Sequence, residues 1–339
     1  MKAWQMGSRT GIGGLQLVDH PEPEPGPGEI LIKVSAAGLN YRDLMVLRGD
    51  YGTDLPEDRI PLSDGVGVIE AVGSGVTGLD VGMRVMAPHF ATWLDGAYSF
   101  AVFAKDLGVT ANGWLAKKII LPANAAIVVP DNVSDSSAAT FSVVGSTVWH
   151  AMIAFGEAKP GDLVLAQGTG GVSIFTLQLA KAMGMEFAIT SSSDEKLARA
   201  KDMGADYGIN YRDRPDWAAA LLEATNGRGA NVVVDTLGFP AMGETVAACA
   251  VNARIGSLGA LSGTPQDQSS ASQGAIIGKN IAIKGIASGN REMLQQALDV
   301  VAQNNIELLV ESVFDFGDAP AAFTHLESGS HMGKIMITV

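Results

Sequence analysis

A chain of 339 residues with 47% hydrophobic and 17% charged residues is core-rich and longer than one core usually serves, which excludes a disordered chain and predicts two domains. Its formal net charge of −13 repels phosphate backbones and anionic membrane surfaces, so nucleic acid and lipid are excluded as main partners. With no apolar leader at Met1 and no apolar run of spanning length, the expected location is the cytoplasm.

Residues 1 to about 130 read as short strands and turns. Gly11 to Asp19 is followed by the Pro-rich turn Pro21 to Gly28, and Glu29 to Ala37 alternates as a half-buried strand does. Gly38 to Gly52 starts polar and then takes a helical period, and Ile60 to Ala87 is a glycine-punctuated series of strands suited to a small bent barrel. A loop carrying Phe90, Trp93, Tyr98, Phe100 and Phe103 precedes Gly113 to Pro122; loop packing and a substrate wall are both open readings of these rings. Beyond Pro130 a helix opens at Ser134, its register running on through Ser146 to Ala154.

Strands then alternate with helices, at Leu163 to Gln167, Glu186 to Thr190, Tyr207 to Asn210, Val232 to Thr236, Arg254 to Leu258 and Ile281 to Ile286. This βα alternation predicts an α/β fold with a doubly wound parallel six-stranded sheet. The segment 262–278, rich in Gly, Ser and Gln, reads as mobile. A helix from Arg291, a strand from Leu309, a helix near Ala319 and a last strand from Lys334 rejoin the first domain. Cys249, the single cysteine, lies in an apolar helical run and reads as a buried, inert thiol.

The stretch from Asp162 to Gly184 is strand, glycine turn and amphipathic helix. Gly168, Gly170 and Gly171, with Thr169 among them, permit close approach of a pyrophosphate, and the helix from Val172 points its N–H groups at that anion. Ser173 holds the place of the third fingerprint glycine. About twenty residues on, where an acid would bind the ribose hydroxyl of NADH, the second strand ends in Ser191. Ser191, Ser192 and Lys196 can donate to a 2′-phosphate, with Tyr211 and Arg212 adding a stacking face and charge, so NADPH is favoured over NADH. Ser192 to Glu195 also reads as a helix capping box, and both readings are open.

At Asn40-Tyr-Arg-Asp43, Gly65 to Val76, Gln167 to Ser173 and His331 to Ile335 the chain resembles the medium-chain dehydrogenase/reductase superfamily over its whole length. Within it the chain is similar to the zinc-lacking quinone oxidoreductase-like branch, often labelled zinc-type alcohol dehydrogenase-like. The resemblance implies a GroES-like β-rich catalytic domain (1–135 and 290–339) split around a Rossmann dinucleotide-binding domain (136–289), with the active site in the cleft between them. It further implies a homodimer or homotetramer paired through 280–287.

Zinc-dependent relatives carry a cysteine ligand where Asn40 stands, a histidine-glutamate pair at Ser63-Asp64, and a third ligand near Val143. These residues bind zinc poorly, and the five histidines show no ligand spacing, so no metal is expected. Resemblance places Asn40 and Tyr41 beside the nicotinamide as catalytic donors, Thr147 on its carboxamide, Arg291 near the cofactor, and Lys334 on the cofactor phosphates or the cleft edge. Asp43 reads as a structural cap or ion-pair partner.

Reduction of a quinone or activated enone needs only orientation and a few donors, because conjugation spreads the developing charge. The expected function is therefore a zinc-independent NADPH-dependent oxidoreductase acting on a small carbonyl or quinone substrate. A metal-free aldehyde or alcohol oxidoreductase and a non-catalytic NADPH-binding sensory or structural protein are the alternatives. Substrate identity is expected to lie in loop 90–103, in Trp114 and in 262–278.

Overall fold

In a computed structural model, residues 1–51, 58–259, 261 and 272–339 are described. They form two compact units, 1–146 with 290–339, and 147–289. The first unit opens with strands β1 (Lys2–Gln5) and β2 (Gln16–Asp19), an antiparallel pair, followed by β3 (Glu29–Gly38). Helix α1 (Tyr41–Arg48) starts directly after β3 and ends at Gly49, whose φ of 76° closes the helix in the left-handed region. Strands β4 (Asp64–Val72), β5 (Arg84–Met86), β6 (Lys118–Pro122) and β7 (Ile127–Val128) follow. Strand β3 pairs with β4 on one side along its whole length and with β6 at its N-terminal half. Its buried face (Ile30, Ile32, Val34, Ala37) forms the core with Leu44, Leu47, Trp114 and Leu121.

Helix α2 (Asp135–Ala139) is capped by the Ser134 hydroxyl, which accepts the Ser137 N–H. The single continuous helix expected here is interrupted at Thr140, whose hydroxyl takes the Ser136 carbonyl. The chain restarts as α3 (Ser142–Val148) and continues as a π-helical turn over Trp149–Phe155. The boundary between the units falls at Ser146/Thr147, eleven residues beyond the expected 135/136, because α2 and the start of α3 are tied to the first unit. The Val143 N–H donates to Asp64 Oδ1 at 2.8 Å, and the Leu308 N–H to Ser137 Oγ at 3.0 Å.

The second unit is built from β8 (Leu163–Gln167), α4 (Gly171–Ala182), β9 (Glu186–Ser191), α5 (Asp194–Asp202), β10 (Tyr207–Asn210), α6 (Trp217–Ala224), β11 (Ala230–Asp235), α7 (Met242–Ala248), β12 (Cys249–Ser257), α8 (Gln273–Gly278) and β13 (Ala282–Gly285). Six strands pair in parallel in the order β10-β9-β8-β11-β12-β13, the dinucleotide-binding arrangement in which strand order reverses beside β8. Every residue of β8 is buried, as a central strand covered on both faces requires. The expected mobile segment divides: 262–271 lie outside the described residues, and 273–278 form α8, capped by Ser272.

The chain returns to the first unit through α9 (Arg291–Gln303), β14 (Val310–Asp315), α10 (Ala319–Ser328) and β15 (Lys334–Thr338). Strand β15 pairs antiparallel with the end of β3, Met336 opposite Gly38, and parallel with β14. This joins the last strand to the turn that starts α1.

Gly65 in β4 lies flat on the indole of Trp114, where a Cβ would come within 2.4 Å of Cδ2. Trp114 is fully buried, so neither partner can move away cheaply. Gly65→Ala should lower unfolding stability by about 1–3 kcal/mol. An unchanged urea midpoint would mean that strand and indole are not in contact.

Candidate active site

In the second unit the turn between β8 and α4 leaves an open backbone shelf. Gly168 has a φ of 76°, and a Cβ at Gly168 or Gly170 would meet nothing within 4 Å, so both glycines face open space over the start of α4. Gly170 is the helix N-cap and has no side chain to satisfy the first N–H groups, which leaves those of Gly171, Val172 and Ser173 available to an anion. Thr169 is buried in the turn. Ser173 is no defect in the fingerprint, because its hydroxyl donates to the Gln167 carbonyl at 2.7 Å and ties the helix to the strand end.

At the end of β9, Ser191 is buried and its oxygen accepts the Ser193 N–H at 3.2 Å, leaving its own O–H to donate outward. The cap of α5 is Ser193, one residue later than the predicted capping box, and Ser192 and Lys196 flank it half-buried. Strand β10 ends alongside, its Asn210 opposite Ser191, and brings Tyr211 and Arg212 to the same corner with exposed side chains. The nearest acid, Asp194, starts α5 rather than ending β9 and accepts a hydrogen bond from Asn210 Nδ2 at 2.8 Å.

Thr147 is buried beside Ser288, three residues past the carboxyl end of β13, with the two hydroxyls 3.3 Å apart. One turn along, His150 is held between the Ser288 carbonyl at Nδ1 and Lys284 Nζ at 3.0 Å from Nε2. Burial holds this imidazole below its usual pKa, with Lys284 adding to the effect, so it is neutral.

In the first unit, β3, β4, α1, α3 and β15 converge on a buried polar group. Asn40 is the N-cap of α1, yet its side chain does not cap the helix; Nδ2 donates to Asp64 Oδ2 at 2.9 Å and Oδ1 accepts from Lys334 Nζ at 2.6 Å. Lys334 Nζ also donates to the Leu39 carbonyl at 2.8 Å and lies 3.4 Å from Asp64 Oδ2. Lys334, Asp64 and Asn40 are 4%, 0% and 8% exposed. Burial lowers the pKa of the Lys334 ammonium, against the opposing pull of Asp64 and Asp43. Lys334 therefore does not stand as a cleft-edge cation for cofactor phosphates, because its hydrogens are taken inside the unit.

A second buried network adjoins this one. Asp43 accepts the Asn40 N–H at 2.9 Å and the Ser63 hydroxyl at 2.7 Å, the capping role expected of it. Arg42 donates to Ser63 Oγ at 2.7 Å and to Asp106 Oδ2 at 2.6 Å, and His89 Nδ1 lies 2.9 Å from Asp106 Oδ1. Arg42, His89 and Asp106 were not singled out in the sequence: they are 47 and 64 residues apart from Arg42 along the chain, and no local pattern connects them.

The remaining expected residues fall elsewhere. Tyr41 is 46% exposed at the start of α1, its hydroxyl beside the Arg48 guanidinium rather than in the Asn40 group. Arg291 donates through Nε and Nη2 to the Ala126 carbonyl, a contact inside the first unit that occupies the group expected to reach a cofactor. Trp114 is core and cannot select a substrate. Phe90, Trp93 and Phe103 pack on one another, while Tyr98 and Phe100 stay exposed, so the aromatic loop is mostly self-packing. Burial pushes the Cys249 thiol up to about 12, which makes it inert at neutral pH.

The donor set does not fit a zinc ion. Asn40 Oδ1 carries an ammonium, Ser63 Oγ is shared between Asp43 and Arg42, and position 143 offers only a backbone N–H to Asp64. A dication there would have to displace Lys334 and Arg42 from the buried carboxylates of Asp64, Asp43 and Asp106, whose oxygens already accept hydrogen bonds. Among the described residues no cluster of three His, Cys, Asp or Glu side chains is arranged to hold a metal ion.

Two family models match: the alcohol dehydrogenase GroES-like domain over residues 26–131 and the zinc-binding dehydrogenase domain over 171–303. A zinc-type alcohol dehydrogenase-like protein of Schizosaccharomyces pombe is 36% identical over 335 residues, covering 97% of this chain and 96% of the relative. An acryloyl-coenzyme A reductase of Metallosphaera sedula is 30% identical, covering 96% of each chain. A mycobacterial protein solved in complex with NADPH is 28% identical with a TM-score of 0.81, covering all of both chains. The chain belongs to the medium-chain dehydrogenase/reductase superfamily and is an NAD(P)H-dependent oxidoreductase. No described helix is long and apolar enough to cross a membrane.

Burial raises the Asp43 carboxyl to about 6, against the opposing effect of Arg42 and the Ser63 hydrogen bond. Between pH 4 and 6 the folded protein then holds a proton that the unfolded chain has lost, so this group's contribution to stability falls as pH rises through that window. Asp43→Asn should make the wild-type-minus-variant stability difference less favourable to wild type at pH 6.5 than at pH 4, by on the order of 1–3 kcal/mol, in urea titrations. A pH-independent difference would place the Asp43 pKa in the ordinary range.

Proposed function

We propose that this protein is a zinc-independent, NADPH-dependent reductase of quinones or activated enones. The observation that carries the reading is the buried Asn40–Lys334–Asp64 group, in which the one polar hydrogen left without a partner among the described residues belongs to a neutral carboxamide. Alcohol oxidation needs a base and a group free to stabilise the alkoxide, roles a metal ion fills in metal-dependent enzymes. Asp64 already accepts from Asn40 and Val143, and the hydrogens of Lys334 are directed at Leu39, Asn40 and Asp64, so neither side chain is available for those roles. A conjugated acceptor needs less, since it spreads negative charge onto an oxygen that a single N–H can stabilise.

When bound, NADPH supplies the hydride. The Gly168–Val172 turn suits its pyrophosphate, and Ser191, Ser192, Lys196 and Tyr211 suit its 2′-phosphate; Thr147 is assigned to the nicotinamide carboxamide by resemblance. The NADPH complex of the mycobacterial neighbour and the acryloyl-coenzyme A reductase relative support cofactor and acceptor class respectively. Pairing of two chains through edge strand β13 accords with exposed Ile277 and Ile283 at that side of the sheet.

The direct test is NADPH oxidation with phenanthrenequinone, a set of enones and simple aldehydes; turnover confined to aldehydes would reject the reading. Asn40→Ala should lower kcat by about 10²–10³-fold with NADPH affinity nearly kept, and unchanged turnover would remove Asn40 from the reaction. Ser191→Asp should shift the preference toward NADH by placing a carboxylate at the end of β9, read as the ratio of kcat/KM for the two cofactors. An unmoved ratio would mean that the 2′-phosphate is bound elsewhere.

A further inference from the structure

The contacts of Asn40 determine which way its carboxamide faces. An ammonium has only hydrogens to offer, so the amide atom 2.6 Å from Lys334 Nζ is the oxygen. A carboxylate only accepts, so the amide atom 2.9 Å from Asp64 Oδ2 is the nitrogen. The two neighbours select the same orientation independently. One Nδ2 hydrogen is thereby held by Asp64, and the second has no partner among the described residues. The ammonium that fixes the oxygen is itself fixed by the Leu39 carbonyl and by Asp64, and it enters on β15, which is bound into the sheet beside the end of β3.

We propose that Lys334 is a positioning residue for the reduction. Its buried ammonium holds Asn40 Oδ1 so that the unpaired N–H, and never the amide oxygen, is presented to the acceptor oxygen as that oxygen gains negative charge. The assignment rests on the reductase reading above, in which Asn40 donates that hydrogen bond. Without the ammonium, only the Asp64 carboxylate opposes a half-turn of the amide, and each molecule that turns sets oxygen against oxyanion, a repulsive contact in place of a stabilising one.

A double-mutant cycle on the full-length protein tests this, with phenanthrenequinone as acceptor at saturating NADPH. Lys334→Met should lower kcat by about 10–100-fold in the wild-type background but by less than about 3-fold in the Asn40→Ala background, since Lys334 acts through Asn40. NADPH affinity should stay within about 3-fold in each variant. Because Lys334→Met leaves Asp64 as a buried unpaired anion, Lys334→Met/Asp64→Asn is carried through the same cycle and should show the same pattern if the single variant does not fold. Equal losses in the two backgrounds, or no loss in either, would overturn the positioning role while leaving the reductase reading intact. Absence of wild-type turnover with every quinone and enone would overturn both.

Discussion

A lysine ammonium that is 4% exposed must be compensated on the spot, and in this protein everything around the proposed reaction centre follows from how that is done. Lys334 lies 295 residues from Leu39 and 270 from Asp64, so the C-terminal strand finds all its partners in the N-terminal part of the first unit. The last strand can seat its ammonium only if β15 lies beside β3, if β4 begins at Asp64, and if α1 starts at Asn40. Each condition is met by sheet pairing that the core packing of Ile30, Ile32, Leu44 and Ile335 supports. The ion pair is weak evidence for stability in itself, because desolvation opposes it. Its value is orientation: a cation and an anion, each with one possible polarity of hydrogen bond, leave the amide between them a single choice.

On the proposed reading, that arrangement also accounts for how a member of a family with metal-dependent relatives would work without the ion. The positions at which those relatives are expected to hold zinc are occupied by an amide, a hydroxyl, the already hydrogen-bonded Asp64 carboxylate and a backbone N–H, and positive charge enters as the ammonium of Lys334 and the guanidinium of Arg42. A fixed ammonium with all its hydrogens directed inward is no Lewis acid. The chemistry we propose for such a site is stabilisation of charge that the acceptor itself delocalises, the case of quinones and enones rather than simple alcohols.

What was legible in the sequence was local. Strand β8 and its glycine turn could be read because burial, turn and helix follow one another within twenty residues, and Ser191 could be placed because a parallel strand has a definite end. Asn40 and Asp64 were visible as departures from a ligand pattern, but their mutual bond was not. Lys334 and Arg291 carried cofactor-facing roles only through resemblance to the family, which fixes a position in the chain but not a side chain's partners; in the fold each is turned onto a backbone carbonyl of its own unit. Nothing in the spacing of Arg42, His89 and Asp106 announces a network, since only the folded first unit brings them together. The helix from Ser134 was over-extended because a threonine hydroxyl competing for a helical carbonyl leaves apolar periodicity unchanged.

The most direct measurement of the central claim is quinone-dependent NADPH oxidation by protein dialysed against a strong chelator, with and without added zinc. The account predicts full activity in the metal-depleted protein and no gain on adding zinc. Loss of activity on chelation with recovery on zinc alone would contradict it, and would mean that the buried group around Lys334 rearranges to take up an ion.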